Sequence, residues 1–207
     1  MEGKASCCRG CHGICVGSLE ERVIRHCAPT LAGIKCGSMF RMRASQTEIM
    51  AGLRSMNRIL RPFDVMAMAL RSESDALLVY VFRPKMLSDV LSNPKVGGYL
   101  SEYGYRGMDC AGSLRHLRAR FIEKGMPHEV GIFLGYPLAD VEGFMRNGGR
   151  SCVCAGCWKS YGDAAEAEIR FRRCRECTRR CMEIYSNGGS LADLAAPSAV
   201  ACSSGEI

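Results

Sequence analysis

The chain has 207 residues, 47 % of them hydrophobic, with 28 Lys and Arg against 21 Asp and Glu for a net charge of +7. That length and apolar fraction suit one domain with a sizeable core, and the charge admits a nucleic acid or an acidic protein partner without arguing for either. No apolar run approaches the roughly 20 residues that cross a bilayer, the longest being Ala76 to Phe82, so membrane-spanning helices are excluded. The first residues, MEGKASCCRGCHG, lack the apolar core of a secretory signal, and the expected location is the cytoplasm. Fourteen cysteines in that compartment are expected as thiols or metal ligands rather than disulfides.

Residues 1 to 18 hold Cys7, Cys8, Cys11 and Cys15 without hydrophobic periodicity, which predicts an irregular arm. Leu19 to Lys35 contains HCAPTLAGIK; Pro29 and Gly33 suit a short helix followed by a loop. Lys35 to Met42 reads as a strand. Ser45 and Glu48 match a capping box, followed by Ile49, Leu53, Met56 and Leu60 on one helical face until Pro62. Asp64 to Leu70 and Ala76 to Phe82 read as two strands. The second is apolar on both faces and so central, and the short polar link RSESD makes the pair a hairpin. The helix between the first and second strands is then a crossover between parallel strands. The unit is β-α-β-β, half of a ferredoxin-like sheet.

Pro84 and Pro94 each stand at a plausible first helical turn. Asp109 can cap a helix carrying Cys110, Leu114, Leu117 and Phe121 that ends at Gly125. Gly162 to about Tyr185 is the last long helix, and the Gly/Ala/Ser-rich residues from Ser186 to Ile207 predict a disordered tail. The fold class is α+β: a small sheet covered by helices, then a mostly helical C-terminal half, with residues 19–185 as one domain.

PHEVGIFLGYPLADVEGF, from Pro127 to Phe144, is the most sharply patterned stretch. Gly131, Gly135 and Val141 match helix-turn-helix spacing, in which small residues permit close packing and a tight turn. The outward positions of its second helix are read as Ala139, Asp140, Glu142, Gly143 and Arg146. Two carboxylates facing phosphates oppose DNA binding, so a structural hairpin is favoured and nucleic acid disfavoured. His128 and Glu129, just before it, are candidates for acid-base or metal chemistry, against an ordinary role in a first helical turn.

Cys154 and Cys157 form a CxxC motif, and sixteen residues later Cys174 and Cys177 form another. That spacing fits a four-thiolate zinc site, although Cys174, Cys177 and Cys181 also share a helical face, where cysteine serves as a small hydrophobe. Cys8, Cys11 and Cys15 echo the spacing; iron–sulfur ligation is the weaker reading because no full ferredoxin run is present. Cys27, beside His26, is a candidate thiolate nucleophile.

HCAPTLAGIK (26–35), LLVYVFRPKML (77–87), PHEVGIFLGYPLADVEGF (127–144) and CWKSYGD (157–163) resemble an uncharacterised bacterial family, domain of unknown function 3793, common in anaerobic, clostridia-like bacteria. The resemblance runs from about Val23 to Tyr185 and implies a cytoplasmic protein without assigning a function. His26, Cys27, Thr30, Lys35, Arg83, His128, Glu129 and Tyr136 fall on its motifs, whereas the N-terminal cysteines and several of Cys152, Cys154, Cys177 and Cys181 are additions in this chain.

Three classes of function follow. The first is an accessory protein whose pocket forms where HCAPTLAGIK and PHEVGIFLGYP meet. It would bind a metal, cofactor or small anion through those eight residues, with a redox protein as an admissible partner. The second is an enzyme using Cys27 or the His128–Glu129 pair. The third is a helix-turn-helix regulator.

Overall fold

Three strands form the centre of the fold. β1 (Gly37–Met42), β2 (Met66–Ser72) and β3 (Leu77–Phe82) lie in the order β1-β3-β2, with β3 antiparallel to both neighbours. β1 and β2 therefore run in the same direction, joined by α2 (Gln46–Leu60), and β2 and β3 form a hairpin. This is the β-α-β-β unit expected from the periodicity. The computed structural model describes residues 18–73 and 76–196. The cysteine-rich arm with Cys7, Cys8, Cys11 and Cys15 lies outside the described residues. Ser18 at its end caps α1 (Leu19–Leu31) by accepting the Glu21 N–H at 3.2 Å.

Side chains alternate across a strand, so a central strand feeds two cores. Leu77, Val79 and Val81 of β3 join one apolar cluster; Tyr80 and Phe82 join the other. The first cluster packs α1, α2, the later turns of α8 (Ala164–Ser186) and α9 (Leu191–Ala195) on one face. Ile49, Leu53, Met56 and Leu60 of α2 are all buried there, each contributing about 1.5–3 kcal/mol. The second cluster holds α3 (Pro84–Leu91), α4 (Pro94–Ser101), α5 (Cys110–Lys124), α6 (Val130–Phe133) and α7 (Leu138–Asn147) against the other face. A two-stranded hairpin, β4 (Cys154–Ala155) and β5 (Lys159–Ser160), connects α7 to α8.

Local chemistry accounts for most boundaries. Pro84 and Pro94 open α3 and α4 in the first turn, where a missing N–H is harmless. Asp109 accepts the Gly112 N–H at 2.7 Å, and Gly125 ends α5 at φ +80°. α1 runs through Pro29, beyond the break expected there, and ends just before Gly33 at φ +72°. Ser45 does start α2, but its side chain makes no cap hydrogen bond, so that half of the expected capping box is missing.

The segment after Ser186, expected as a disordered tail, is corrected over its first part. Ser190 and Asp193 form a reciprocal capping box that starts α9, and Leu191, Leu194 and Ala195 are buried in the core. Residues beyond 196 lie outside the described residues. Arg83 ties this helix down. Its Nε donates to Thr30 O at 2.8 Å, one terminal nitrogen to Phe63 O at 2.9 Å, and the other to Leu31 O and to Ala195 O at 3.1 Å. A planar guanidinium can reach four carbonyls in this way; two of them are buried acceptors in the last turn of α1. Among the described residues, no helix is long and apolar enough to cross a membrane.

Candidate functional site

The two sequence motifs do meet. Gly135 takes φ +73° in the turn after α6, and a side chain there would sit 3.2 Å from Cys36 Sγ and 3.4 Å from Lys35 Cβ. The Cys36 thiol points at Phe133 O, 3.5 Å away, which also accepts the Tyr80 hydroxyl at 2.6 Å. This packing seats the α6–α7 turn on the start of β1. It carries Lys35 over Tyr136, with the ammonium 5.2 Å from the ring centroid, a cation–π distance. Tyr136 stacks on Trp158 at 4.8 Å, and Trp158 meets Phe171 edge-on at 4.6 Å. A continuous row therefore runs from Lys35 through two aromatic rings to the buried face of α8.

Asp140 fixes Trp158 in that row. Its Oδ2 accepts the indole N–H at 2.8 Å, and its Oδ1 accepts Ser160 Oγ at 2.9 Å, Tyr161 N at 2.7 Å and Gly162 N at 3.1 Å. One buried carboxylate thus holds the whole β4–β5 hairpin against α7. The outward orientation expected for Asp140 and Gly143 is corrected here. Both are buried, because Gly143 lets Tyr161 lie against α7; a Cβ at that glycine would stand 2.4 Å from Tyr161 Cβ. A glycine three residues after an aspartate on one helix was the available signal that this face is in contact. Gly131 packs on Val141 as expected, with room for no side chain, and α6 is a single turn.

Beside this assembly lies a cavity of about 250 Å³. Its apolar walls include Met39, Val130, Leu134, Phe144 and Trp158, and its basic lining residues are His128 and Lys159. His128 is exposed and rests on the Phe144 ring at 5.3 Å; Lys159 donates to Gly149 O at 2.6 Å. PHEVGIFLGYP supplies much of the wall. HCAPTLAGIK reaches the cavity only through Lys35 and its contact with Tyr136, whereas α7 and the β4–β5 hairpin, which the pattern did not place there, complete it.

Most of the other motif residues serve the fold. His26 stacks on Phe40 at 5.3 Å, and burial, with Arg22 and Arg25 nearby, lowers its imidazole below the usual value. Cys27 is fully buried, and that burial pushes its thiol far up. Thr30 and Ser38 share a buried hydrogen bond of 2.8 Å. Arg83 is held by carbonyls. Glu129 is buried, paired with Arg120, and accepts the Tyr105 hydroxyl at 3.2 Å, and it does not line the cavity that His128 lines. The structure thus gathers Lys35, His128 and Tyr136 near one site and places His26, Cys27, Thr30, Arg83 and Glu129 in packing or pairing roles.

The four cysteines read as one zinc set divide. Cys157, in the hairpin turn, lies against the thiol of Cys174 on α8. Cys177 instead lies in the core beside Cys181, and Cys154 stands on β4. Among the described residues, no group of three or more His, Cys, Asp or Glu is gathered as a metal site requires. The Cys157 hydrogen bond, then the charges of Lys35, Arg173 and Arg175, draw the Cys174 thiol down to about 7 against its burial, while Cys157 moves well up. Burial also lowers Lys35, which these sulfurs partly offset.

No curated protein and no solved structure matches the chain. A family model described as a protein of unknown function (DUF3793) matches residues 23–195, from within α1 to the end of α9, and covers every residue of the site just described. The chain belongs to that family.

Proposed function

We propose that this chain is a small-molecule-binding protein whose ligand is a flat apolar or aromatic group bearing a negative charge. The observation that carries this reading is the cavity of about 250 Å³ between the α6–α7 turn, β1 and the β4–β5 hairpin. Binding sites are concave, largely apolar and furnished with a few fixed polar groups. Here Trp158 and Phe144 offer ring faces, Lys159 offers positive charge and His128 a ring N–H, and Asp140 is already saturated by four donors. Glu129, the carboxylate considered for acid-base or metal chemistry, is engaged by Arg120 and Tyr105 in structural contacts, which favours binding over reaction.

Trp158 is the single tryptophan of the chain, so its emission reports on the cavity directly. Titration with 8-anilinonaphthalene-1-sulfonate, a flat aromatic anion, is expected to give saturable binding with energy transfer from Trp158. It should also raise the urea midpoint, as a ligand selective for the folded state must. His128→Glu should weaken that binding about tenfold, the order expected for placing one partly screened negative charge near an anion. Absence of saturable binding, or binding indifferent to both His128→Glu and Phe144→Ala, would overturn the proposal.

A further inference from the structure

We propose that Cys157 and Cys174 form a peroxide-responsive redox pair, in which Cys174 is oxidised and Cys157 resolves it into a disulfide joining the β4–β5 hairpin to α8. The pair comes from two elements far enough apart in sequence that only the fold brings the sulfurs together. Gly156 makes the approach feasible: a Cβ there would lie 2.2 Å from Phe171, so the turn carrying Cys157 sits flush on α8. Lys35 and Arg175 lie near both sulfurs, and Arg173 adds its charge at Cys174. A thiolate with such neighbours is the reactive form of cysteine.

Five of the seven other described thiols set the contrast, while Cys152 and Cys154 are half-buried like Cys157 and serve as the internal competitors. Cys27, Cys36 and Cys110 are driven toward the neutral thiol by burial. Cys177 and Cys181 have no solvent exposure. Cys174 is 7 % exposed, and Cys157 is half-buried. Sulfurs this covered favour a small oxidant such as a hydroperoxide over a bulky protein disulfide.

The chemistry balances without a metal. The Cys174 thiolate attacks the peroxide; an S–O bond forms, the O–O bond breaks, and two electrons pass from sulfur to the departing oxygen, which takes a proton to leave as water or an alcohol. The Cys157 sulfur then attacks the sulfenic acid. The S–S bond forms, the S–O bond breaks, and hydroxide leaves as water with the Cys157 proton. A dithiol reductant reverses the disulfide by exchange. Because Trp158 follows Cys157 directly, the new bond fixes the wall of the cavity, although the redox proposal stands independently of any ligand.

The test uses the reduced full chain exposed to hydrogen peroxide, alkylated, digested and mapped by mass spectrometry. A Cys157–Cys174 crosslink is expected first. Cys157→Ser should leave a sulfenic acid on Cys174 that dimedone captures, and Lys35→Gln should slow oxidation of Cys174 about tenfold, the order of reactivity that follows thiolate fraction. Since Cys157 is half-buried and Cys157→Ser is nearly isosteric, that variant keeps the proposal testable even if substitution of the buried Cys174 impairs folding. Three results would each overturn it: a first crosslink elsewhere, such as Cys152–Cys154; a Cys174 no faster than in the urea-unfolded chain; or stoichiometric zinc that is lost with Cys157→Ser.

Discussion

Trp158 donates its indole N–H to Oδ2 of Asp140 at 2.8 Å, while the other oxygen of the same carboxylate takes three donors from Ser160, Tyr161 and Gly162. Asparagine cannot replace this arrangement. With its oxygen on the three-donor side, its amide N–H would face the indole N–H, leaving one buried donor unpaired. Asp140→Asn is therefore expected to cost about 1–3 kcal/mol and to shift Trp158 emission. Urea unfolding followed by fluorescence measures both, and an unchanged midpoint would show that the hairpin does not depend on this carboxylate.

Arg83 separates anchoring of the fold from anchoring of a ligand. Its four carbonyl acceptors come from the end of α1, a 3-10 turn over Arg61–Phe63, and α9. Arg83→Met leaves those acceptors without a cation and should cost about 3 kcal/mol, the scale of a charged hydrogen-bond donor lost from a partly buried site. Arg83→Lys should recover little, since one ammonium cannot span four acceptors. Both variants, where folded, should bind 8-anilinonaphthalene-1-sulfonate as the parent does. Weakened binding in a fully folded Arg83→Met protein would return Arg83 to the ligand site.

These residues also show what a sequence can and cannot carry. Ile49, Leu53, Met56 and Leu60 announce a buried face because helical period is a local property, and the all-apolar β3 announces a central strand for the same reason. Arg83 looked like an anion anchor because its partners lie 20 to 112 residues away in the chain, and no local pattern contains them. Cys174 and Cys177 form a CxxC in the sequence, yet on a helix residues three apart diverge by about 60° around the axis. One therefore turns to the hairpin and the other to the core. α9 escaped notice because two leucines in a Gly/Ala/Ser-rich segment give no period, although Ser190 and Asp193 spelled its cap.

His26 should give the protein an acid-sensitive limb. Burial, then Arg22 and Arg25, hold its folded-state imidazole below 6.5, the unfolded reference. Between those two values the unfolded chain binds more protons, so stability rises with pH through that window and is lost as pH falls through it. Below the folded value the loss is complete. His26→Phe keeps the stack on Phe40 and removes the proton. Urea midpoints at pH 5 and pH 7.5 should differ less for the variant than for the parent, and equal differences would assign the limb to other groups.

Cys27 tests the enzyme reading. With no solvent exposure and a thiol driven up by burial, it should resist iodoacetamide in the folded chain and react only on unfolding. Peptide-resolved alkylation at pH 8 distinguishes it from Cys174, which should label early. A Cys27 that reacts as fast as Cys174 would restore it as a nucleophile.

The last expectation concerns the glycine between the hairpin and α8. A Cβ on Gly156 would meet Phe171 Cδ2 at 2.2 Å and Cε2 at 2.6 Å, and Phe171 is fully buried and held edge-on by Trp158. Neither ring can yield without breaking the row from Lys35 to α8, so Gly156→Ala is expected to destabilise by about 1–3 kcal/mol through overpacking. Gly148→Ala provides the contrast. Nothing lies within 4 Å of its Cβ position, and only the left-handed φ of +55° penalises it, by about 1–2 kcal/mol. The two substitutions can therefore cost similar stability while differing at the thiols. Gly156→Ala lifts Cys157 from Cys174 and should suppress the peroxide-induced crosslink, whereas Gly148→Ala should leave it intact. Equal crosslink yields in both variants would mean that the hairpin does not need to sit flush on α8 for the sulfurs to meet.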